Sequence, residues 1–399
     1  MTNSYPDIDI EAFYKKPYTM CFDVAIMAYG FYFAVRYSQL DFLFPFHFLK
    51  QISLLVSIFY SLLSIIHNYK WNLFRTALFV FMIITPFGGG ISLGIKRIGI
   101  PMLILAAYNI PFSHIVKQCI KVVIMIFILV LTCLALGIVQ DELYYREKVG
   151  HGSGYAHSLG FRYYSFYAYI GMGLVQCMIY KWMKKMNMLK IFWLLLLSYL
   201  LFWVSFTRLQ LYCSILFLCS IFVLPLIPQR FFNNKASFVL SIILYPILCF
   251  LVYYIAKNEL LSMYLDNVPE LNRLTAGRIY LNAEALRRYD VNLWGNNIEN
   301  STDPGASDYF YIDSGYLHTL LGSGLVYTCV IMFLYSFLFY KVYKAKAYFL
   351  YLWLSIYSIL CVFNGLLMNV LANPIILLFL TETKVIEKDY MLFSRIKKE

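Results

Sequence analysis

The sequence predicts an all-α polytopic membrane protein with about twelve transmembrane helices and one long extracytoplasmic loop that carries an amphipathic helix. The first observation is composition, since 61% of the 399 residues are hydrophobic and 14% are charged. Soluble domains are about 45–50% apolar and about 25% charged. The mean hydropathy of this chain is +0.67. One water-soluble core cannot bury so much apolar surface, so residues 1–399 are interpreted as a single integral membrane domain.

The second observation is the length of the apolar segments. A helix needs about 17–25 residues to cross roughly 30 Å of hydrocarbon. Segments near this length predict spans at about 18–36, 50–67, 73–89, 97–112, 118–138, 163–181, 189–206, 209–228, 237–256, 316–340, 347–364 and 368–382. The last span is short, and Pro86 and a run of glycines interrupt the pair at 73–112. Eleven or thirteen spans are therefore the alternatives.

The third observation is where the charges fall. With both termini in the cytoplasm, the inner segments contain 20 of the 33 Lys and Arg residues but only 7 of the 21 acids. The outer segments contain 13 basic and 13 acidic residues. Short cytoplasmic loops are enriched in Lys and Arg, so this orientation is favoured. The net charge of +12 is thus interpreted as a topology signal, and no nucleic-acid partner is expected.

Cofactor chemistry is not indicated by the sequence. All nine cysteines fall within the predicted spans, which is typical of buried thiols rather than disulfides or metal ligands. The chain contains no P-loop, dinucleotide-binding, nucleophile-elbow or HExxH motif. Asp7-Ile-Asp9 matches a metal-dependent sugar-transferase motif, but no nucleotide-binding domain follows it. No cleavable signal peptide is recognised at the polar N-terminus, so the first span is expected to be an uncleaved anchor.

Two outer segments stand out by length, a first outer loop at 139–162 and a longer one at 257–315. In the longer loop, leucine and isoleucine alternate with arginine and glutamate at helix-like intervals. This pattern predicts an amphipathic helix near 270–289, lying on or just above the bilayer. The long loop is therefore interpreted as the working surface of the protein.

Arginines dominate the outer segments. They are Arg97, Arg162, Arg208, Arg273, Arg278, Arg287 and Arg288. A guanidinium group is always charged and binds phosphate or pyrophosphate through a planar fork. Snorkelling to lipid headgroups is the alternative, and it is favoured for Arg273 and Arg287. Arg208 lies in a very short connection and is favoured, with Arg278, as an anion ligand.

Acids and histidines in the outer segments are candidate general bases. Asp313 and His318 flank the start of the tenth span, although His318 could equally hydrogen-bond a neighbouring helix. Glu284 precedes Arg288 by four residues, a spacing typical of a simple helix ion pair. His157 is a further candidate in the first outer loop. The many outer tyrosines suit sugar faces, but they are also enriched at membrane interfaces, which is favoured for most of them.

Four stretches resemble elements of the Wzy-type polysaccharide polymerases of the O-antigen polymerase/ligase superfamily. They are His157-Ser-Leu-Gly-Phe161, Ser205-Phe-Thr-Arg208, Thr275-Ala-Gly-Arg278-Ile279 followed by Trp294-Gly295, and Asp313-Ser-Gly-Tyr316-Leu317 followed by Gly322. The twelve-span plan with a long outer loop before the last three spans is also similar to that family. Each motif is degenerate alone, and it is their order and placement that are specific.

The resemblance implies a metal-independent, inverting glycosyltransferase in the bacterial cytoplasmic membrane. Its substrates would be undecaprenyl-diphosphate-linked glycans, and the growing chain would leave its carrier for an incoming repeat unit. Arg278 and Arg208 are expected on the pyrophosphate, and Asp313 or His318 as the base. Substrate binding is further expected from Arg288, Arg273, Arg162, His157 and Tyr316. Membrane lipid is an expected partner, and the family resemblance adds a chain-length regulator.

Two other functions are compatible with the sequence. An O-antigen ligase-type enzyme would hand the same lipid-linked glycan to a different acceptor. A lipid-linked oligosaccharide flippase would need several ionisable residues around a central cavity at mid-membrane. Asp23 is the one acid clearly inside a predicted span, so polymerisation is favoured over transport.

Overall fold

The structure is a computed structural model. It describes residues 16–71, 73–88, 90, 94–95, 97–148, 152–227, 234–258, 278–298 and 310–393. Within these ranges the chain is mostly helical, and seven helices are long and apolar enough to cross a membrane. The prediction of a helical membrane protein is confirmed at this level.

Thirteen α-helices, five short 3₁₀ helices and one β-hairpin make up the regular structure of the described residues. The helices are α1 Pro17–Arg36, α2 Phe44–Asn68, α3 Leu73–Ile84, α4 Gly99–Ala106, α5 Phe112–Ala135, α6 Tyr164–Trp182, α7 Met188–Ser205, α8 Arg208–Val223, α9 Lys235–Lys257, α10 Arg278–Arg288, α11 Gly315–Lys344, α12 Tyr348–Leu360 and α13 Thr383–Phe393. The strands are β1 Leu143–Lys148 and β2 Gly152–His157. The seven candidate spans are α1, α2, α5, α7, α8 with its following turn, α9 and α11.

Several predicted spans are shorter helices in the structure. The segment predicted at 97–112 forms the eight-residue α4, and the one at 347–364 forms the 13-residue α12. The segment at 73–89 forms the 12-residue α3, which a 3₁₀ turn at Thr85–Phe87 extends. Pro86 explains that change, because proline cannot donate the next helical hydrogen bond.

The predicted twelfth span at 368–382 is not an α-helix, which corrects the sequence analysis. Apart from a 3₁₀ turn at Pro374–Leu378, its backbone is irregular. Its apolar side chains are buried in the protein core. Irregular backbone is stable at membrane depth only where protein groups satisfy its polar atoms. Here Lys341 Nζ donates to Phe379 O and Thr381 O at 2.8 Å each, and the Tyr357 hydroxyl donates to Ala372 O.

The first outer loop contains the antiparallel hairpin of β1 and β2, which the sequence analysis did not predict. Polar contacts hold its base. Asp141 Oδ2 lies 2.6 Å from His157 Nδ1, and the backbone amide of Glu142 donates to Ser158 Oγ at 2.8 Å. Ser38 then forms a β-bridge with Phe161, so the hairpin is anchored to the C-terminal end of α1. This end of the helix bundle is called the hairpin end below.

The amphipathic helix of the long loop is present as α10. Residues 270–277 of the predicted range lie outside the described residues. Asn282, Ala283 and Ala285 are buried, whereas Arg287 and Arg288 are exposed. The helix packs against α9, so its small residues face the bundle and its last arginines face away.

The segment that follows α10 packs against a kink in α11. Gly324 has φ +87° and interrupts the helix. The amide of Asn296 donates to Leu321 O at 2.8 Å, and the amide of Leu325 donates to Asn292 O at 2.9 Å. The segment at 292–296 thus bonds backbone groups on both sides of the kink, which compensates for the interrupted helical ladder.

Candidate functional site

Arg278 and Asp313 form an ion pair at the hairpin end. Arg278 is the first residue of α10, and Asp313 precedes the N-terminus of α11 by two residues. Arg278 Nε lies 3.2 Å from Asp313 Oδ2, and the two side chains are 28% and 22% exposed. The pair therefore keeps access to solvent while α10 and α11 hold it in place.

Two tyrosines, Tyr169 and Tyr311, interact with this ion pair. Tyr169 of α6 interacts electrostatically with both Arg278 and Asp313. Tyr311 interacts with Asp313 and with Tyr169, Tyr37 and Tyr163. Desolvation in this crowded region, followed by these neighbours, raises the pKa of Tyr311 well above its ordinary value. The Tyr311 hydroxyl therefore stays protonated and can donate a hydrogen bond.

Arg36 extends the same region toward α1. It is the last residue of α1, where a positive charge is favourable at the helix C-terminus. Its guanidinium donates to the Tyr32 hydroxyl and lies 5.6 Å from the ring centres of Tyr32 and Tyr37. Because Tyr37 also interacts with Tyr311, Arg36 and the Arg278–Asp313 pair belong to one connected group.

Arg97 is a second guanidinium within electrostatic range of Arg36. It lies two residues before α4 and interacts electrostatically with Arg36 and with Tyr327 of α11. Among the described residues, Arg97 makes no hydrogen bond or ion pair with a carboxylate. Two like charges in a partly buried position repel each other. A bound anion between them would remove that repulsion, and guanidinium groups prefer phosphate.

His318 completes the group from the first turn of α11. Its side chain is exposed, whereas Leu317 and Leu321 beside it are buried. A Cβ atom at Gly322 would lie 3.9 Å both from His318 Cε1 and from Arg97 Nη2. His318 and Arg97 therefore approach the same spot at the kinked part of α11. Arg36, Arg97, Arg278, Asp313 and His318 are together called the arginine cluster.

Three glycines allow the segment at 292–296 to pack closely against its neighbours. A Cβ atom on Gly295 would overlap Gly322 O, and a Cβ atom on Gly324 would overlap Leu293 O. Both residues have positive φ, +88° and +87°. A Cβ atom on Gly88 would lie 2.7 Å from Cε3 of Trp294. The Trp294-Gly295 element of the sequence is thus a close backbone contact that locks the loop against α11.

Arg208 and His157 lie in a neighbouring part of the hairpin end. Arg208 begins α8, and within the described part of the chain its side chain makes no hydrogen bond or ion pair. A Cβ atom on Gly154 of β2 would lie 2.9 Å from the ring of Phe206, so the hairpin lies beside this connection. His157 is paired with Asp141. No described contact joins Arg208 or His157 to the arginine cluster.

Arg162 and Arg288 are already paired. Arg162 bonds Asp41, and its guanidinium lies 4.6 Å from the ring centre of Phe42. Arg288 Nε lies 2.9 Å from Glu284 Oε1 and its guanidinium 4.4 Å from the ring centre of Phe310. The helix ion pair expected from the Glu284–Arg288 spacing is confirmed. These contacts favour a structural contribution from both arginines.

Tyr316 occupies the core rather than a substrate surface, which corrects the sequence analysis. Its side chain is 0% exposed, and its hydroxyl donates to Ser358 O at 2.9 Å. It cannot touch a substrate from this position. Arg273, which was also predicted to bind substrate, lies outside the described residues.

The sequence analysis missed Arg36 and assigned no role to Arg97. Arg36 is hidden as the last residue of an apolar span, and Arg97 follows an interrupted apolar segment. Tyr37 directly follows Arg36 and could have indicated the site, because an arginine next to a tyrosine at the end of a span is as typical of a binding site as of a membrane anchor.

No group of three or more metal-ligating side chains occurs within the described ranges. No protein-family model, curated protein or solved structure matches this chain.

Proposed function

We propose that the chain is a membrane-embedded polymerase that joins lipid-diphosphate-linked oligosaccharide repeat units by inverting glycosyl transfer. The observation that carries the proposal is the arginine cluster, in which Arg97 lies beside Arg36 and has no acidic partner among the described residues. Three arginines, one carboxylate and one histidine converge there from α1, α10, α11 and the segment before α4. This combination suits a reaction whose leaving group is a pyrophosphate.

The reaction breaks one bond at the sugar C1 atom, forms another there, and transfers one proton. The bond between the sugar C1 atom and the carrier's phosphate oxygen breaks, and its electrons stay on the pyrophosphate. An acceptor hydroxyl oxygen forms the new bond to C1 from the opposite face, and its proton passes to a base. Charge therefore develops on the leaving pyrophosphate, where fixed positive groups stabilise the transition state.

Arg36 and Arg97 are the proposed pyrophosphate ligands, because their mutual repulsion falls when an anion binds between them. Arg278 holds the carboxylate of Asp313. Asp313 or His318 is the proposed base, since both lie at the N-terminal end of α11 beside those arginines. From the sequence, Arg208 and Arg278 were both expected on the pyrophosphate. This assignment moves the main anion site to Arg36 and Arg97 and makes Arg278 a positioning residue.

The proposed topology places the hairpin end outside the cytoplasmic membrane and both termini in the cytoplasm. The opposite end contains Lys184, Lys185, Lys344 and Lys346, as the positive-inside rule requires of a cytoplasmic face. We further propose that the shorter helices α3, α4 and α12 and the buried irregular segment supply the remaining crossings. The arginine cluster lies at one end of the bundle, whereas a flippase would need several ionisable residues around a central cavity at mid-membrane, so an enzyme is favoured over a flippase.

The test is deletion of the gene in its own host, followed by gel analysis of lipid-linked and surface polysaccharide. Polymerase function predicts that the polysaccharide ladder collapses to single repeat units on the outer face. Complementation with Arg97→Gln should leave that collapse in place, whereas Arg287→Gln should restore the ladder. Full-length polymer trapped on its carrier would instead indicate a ligase, and repeat units retained on the cytoplasmic face would indicate a flippase.

A further inference from the structure

An apolar groove lies at the end of the bundle opposite the hairpin. Its cavity is about 540 Å³ and is formed by the turn after α6, the start of α7 and the end of α8. Met183, Met186, Ile191, Ile221 and Phe222 are among its lining residues. This volume falls within the roughly 300–1,000 Å³ typical of small-molecule sites. Methionine side chains adapt to flexible apolar ligands, so the lining suits a chain of variable shape.

The polar groups in the groove wall are already bonded. The Asn187 side chain accepts a hydrogen bond from the Lys190 amide at 3.0 Å, capping α7. The Tyr390 hydroxyl, contributed by α13, accepts from the Phe349 amide at 3.1 Å. A ligand in the groove therefore gains little from polar atoms, and the groove favours a hydrocarbon.

Exposed apolar side chains form the mouth of the groove. Met188, at the rim, is 79% exposed, and Phe222 is 50% exposed. The neighbouring residues Leu189, Trp193 and Leu226 are exposed apolar side chains as well. An apolar surface of this extent on a membrane helix contacts acyl chains, so a lipid can enter the groove sideways from the bilayer.

Three lysines stand next to the groove. Lys184 and Lys185 are exposed in the 3₁₀ turn that contains the lining residue Met183. Lys190, one residue before the lining residue Ile191, bonds Lys185 O through Nζ at 2.6 Å and lies 5.7 Å from the ring centre of Trp182. These contacts hold the Lys190 ammonium group close to the turn that carries the other two charges.

We propose that this groove is a binding site for one anionic phospholipid, with an acyl chain in the groove and the headgroup phosphate on Lys184, Lys185 and Lys190. The commitment to an anionic lipid rests on charge complementarity. Basic pockets between membrane helices bind anionic headgroups, and each nearby Lys strengthens binding about five-fold. The proposal does not depend on the polymerase function, because the groove and the arginine cluster lie at opposite ends of the bundle.

The test uses the purified full-length chain in detergent and native mass spectrometry with equimolar phosphatidylglycerol and phosphatidylcholine. The proposal predicts that one phosphatidylglycerol is retained preferentially. The triple variant Lys184→Gln, Lys185→Gln, Lys190→Gln should lose that preference by at least ten-fold. The triple variant Lys117→Gln, Lys121→Gln, Lys344→Gln removes three exposed charges away from the groove and should keep it.

A second pair of variants tests the groove itself. Ile191→Trp fills the cavity and should abolish retention of the lipid, whereas Leu189→Trp, on the exposed side of the same helix, should not. Circular dichroism checks that each variant folds, and the lysine variants remain informative if Ile191→Trp does not. Three results would overturn the proposal. They are equal retention of both lipids by the wild type, equal losses in the two triple variants, and preferential retention of a polyprenyl phosphate.

Discussion

Arg278 and Asp313 lie 35 residues apart in the chain, yet their side chains meet at 3.2 Å where α10 approaches the start of α11. Together with the backbone hydrogen bonds of the segment at 292–296, this contact ties the long loop to the bundle. In the proposed mechanism the arginine positions the carboxylate, and the carboxylate or His318 takes the acceptor proton.

A charge-swap experiment separates structure from chemistry in this pair. Arg278→Gln and Asp313→Asn are each expected to lower polymerisation by about 10² or more, the range typical of general acid–base groups. The double variant Arg278→Asp, Asp313→Arg should restore thermal stability but not polymerisation. The carboxylate then lies on α10 instead of next to the start of α11, away from the position required of the base. Polymerisation and unfolding temperature are measured on the same preparations. Recovery of activity in the swap would show that the pair is only structural.

Gly295 and Gly324 are expected to tolerate no side chain. Gly295→Ala introduces a Cβ atom that overlaps Gly322 O, in addition to its unfavourable φ. The overlap and the strain should together lower stability by about 3 kcal/mol or more. Gly137→Ala is the matched control, because Gly137 also has positive φ, +70°, but open space around it. That variant should lose only about 1–2 kcal/mol. Thermal unfolding in detergent measures both, and equal losses would contradict the close backbone contact.

Because of Asp41, the stability of the protein is expected to fall at acid pH. Its side chain is 10% exposed and is bonded to Lys50 and Arg162. Burial alone would raise its pKa, but the Lys50 hydrogen bond and the Arg162 charge outweigh burial, so the pKa of Asp41 is lowered. A lowered folded-state pKa stabilises the protein fully above the unfolded-state value of about 3.9 and less as pH falls through the folded value.

Asp41→Asn tests this dependence directly. At pH 7 it should cost about 3–5 kcal/mol, because it leaves buried Lys50 without its partner. The difference between wild type and variant should shrink once the pH falls below about 4. The exposed Asp290→Asn serves as control and should show neither effect. A difference that stays constant from pH 7 to pH 3 would contradict the role assigned to the Asp41 carboxylate.

Lys341 is expected to stabilise the irregular segment at 368–382. It is 4% exposed, and its ammonium group donates to the backbone oxygens of Phe379 and Thr381. Lys341→Met keeps the aliphatic length but leaves buried carbonyls without a donor, at about 1–3 kcal/mol for each. Lys344→Met, one turn along on the exposed side, should be nearly neutral. The free energy of unfolding in denaturant distinguishes the two, and similar values would argue against a capping role.

The helical part of the fold could be predicted because apolar length and charge placement are local properties of the chain. The failure at 368–382 has a different cause. Apolar composition predicts a helix there, but Asn369 caps the amides of Leu371 and Ala372, and Lys341 and Tyr357 satisfy carbonyls. Lys341 and Tyr357 come from α11 and α12, so the local sequence does not reveal these partners.

Part of the candidate site could also be predicted from local properties of the sequence. Arg278, Asp313 and His318 lie in one stretch that also carries the family resemblance. Arg36 and Arg97 join them only through tertiary contacts with Tyr37 and Tyr327, which no spacing along the chain encodes. Tyr316 shows the converse, since a residue in a stretch that resembles the family is buried in the core rather than exposed at the site.

Reconstituted polymerisation by the Arg97→Gln variant tests the central claim most directly. The purified chain would be placed in liposomes with lipid-linked single repeat units taken from the deletion strain, and product length would be followed with time. The proposed function predicts that wild type forms a ladder and that Arg97→Gln, with an unchanged unfolding temperature, forms it about 10²–10³ times more slowly. Arg287→Gln should match the wild type. A folded Arg97→Gln variant that polymerises at the wild-type rate would contradict the assignment of the arginine cluster as the active site.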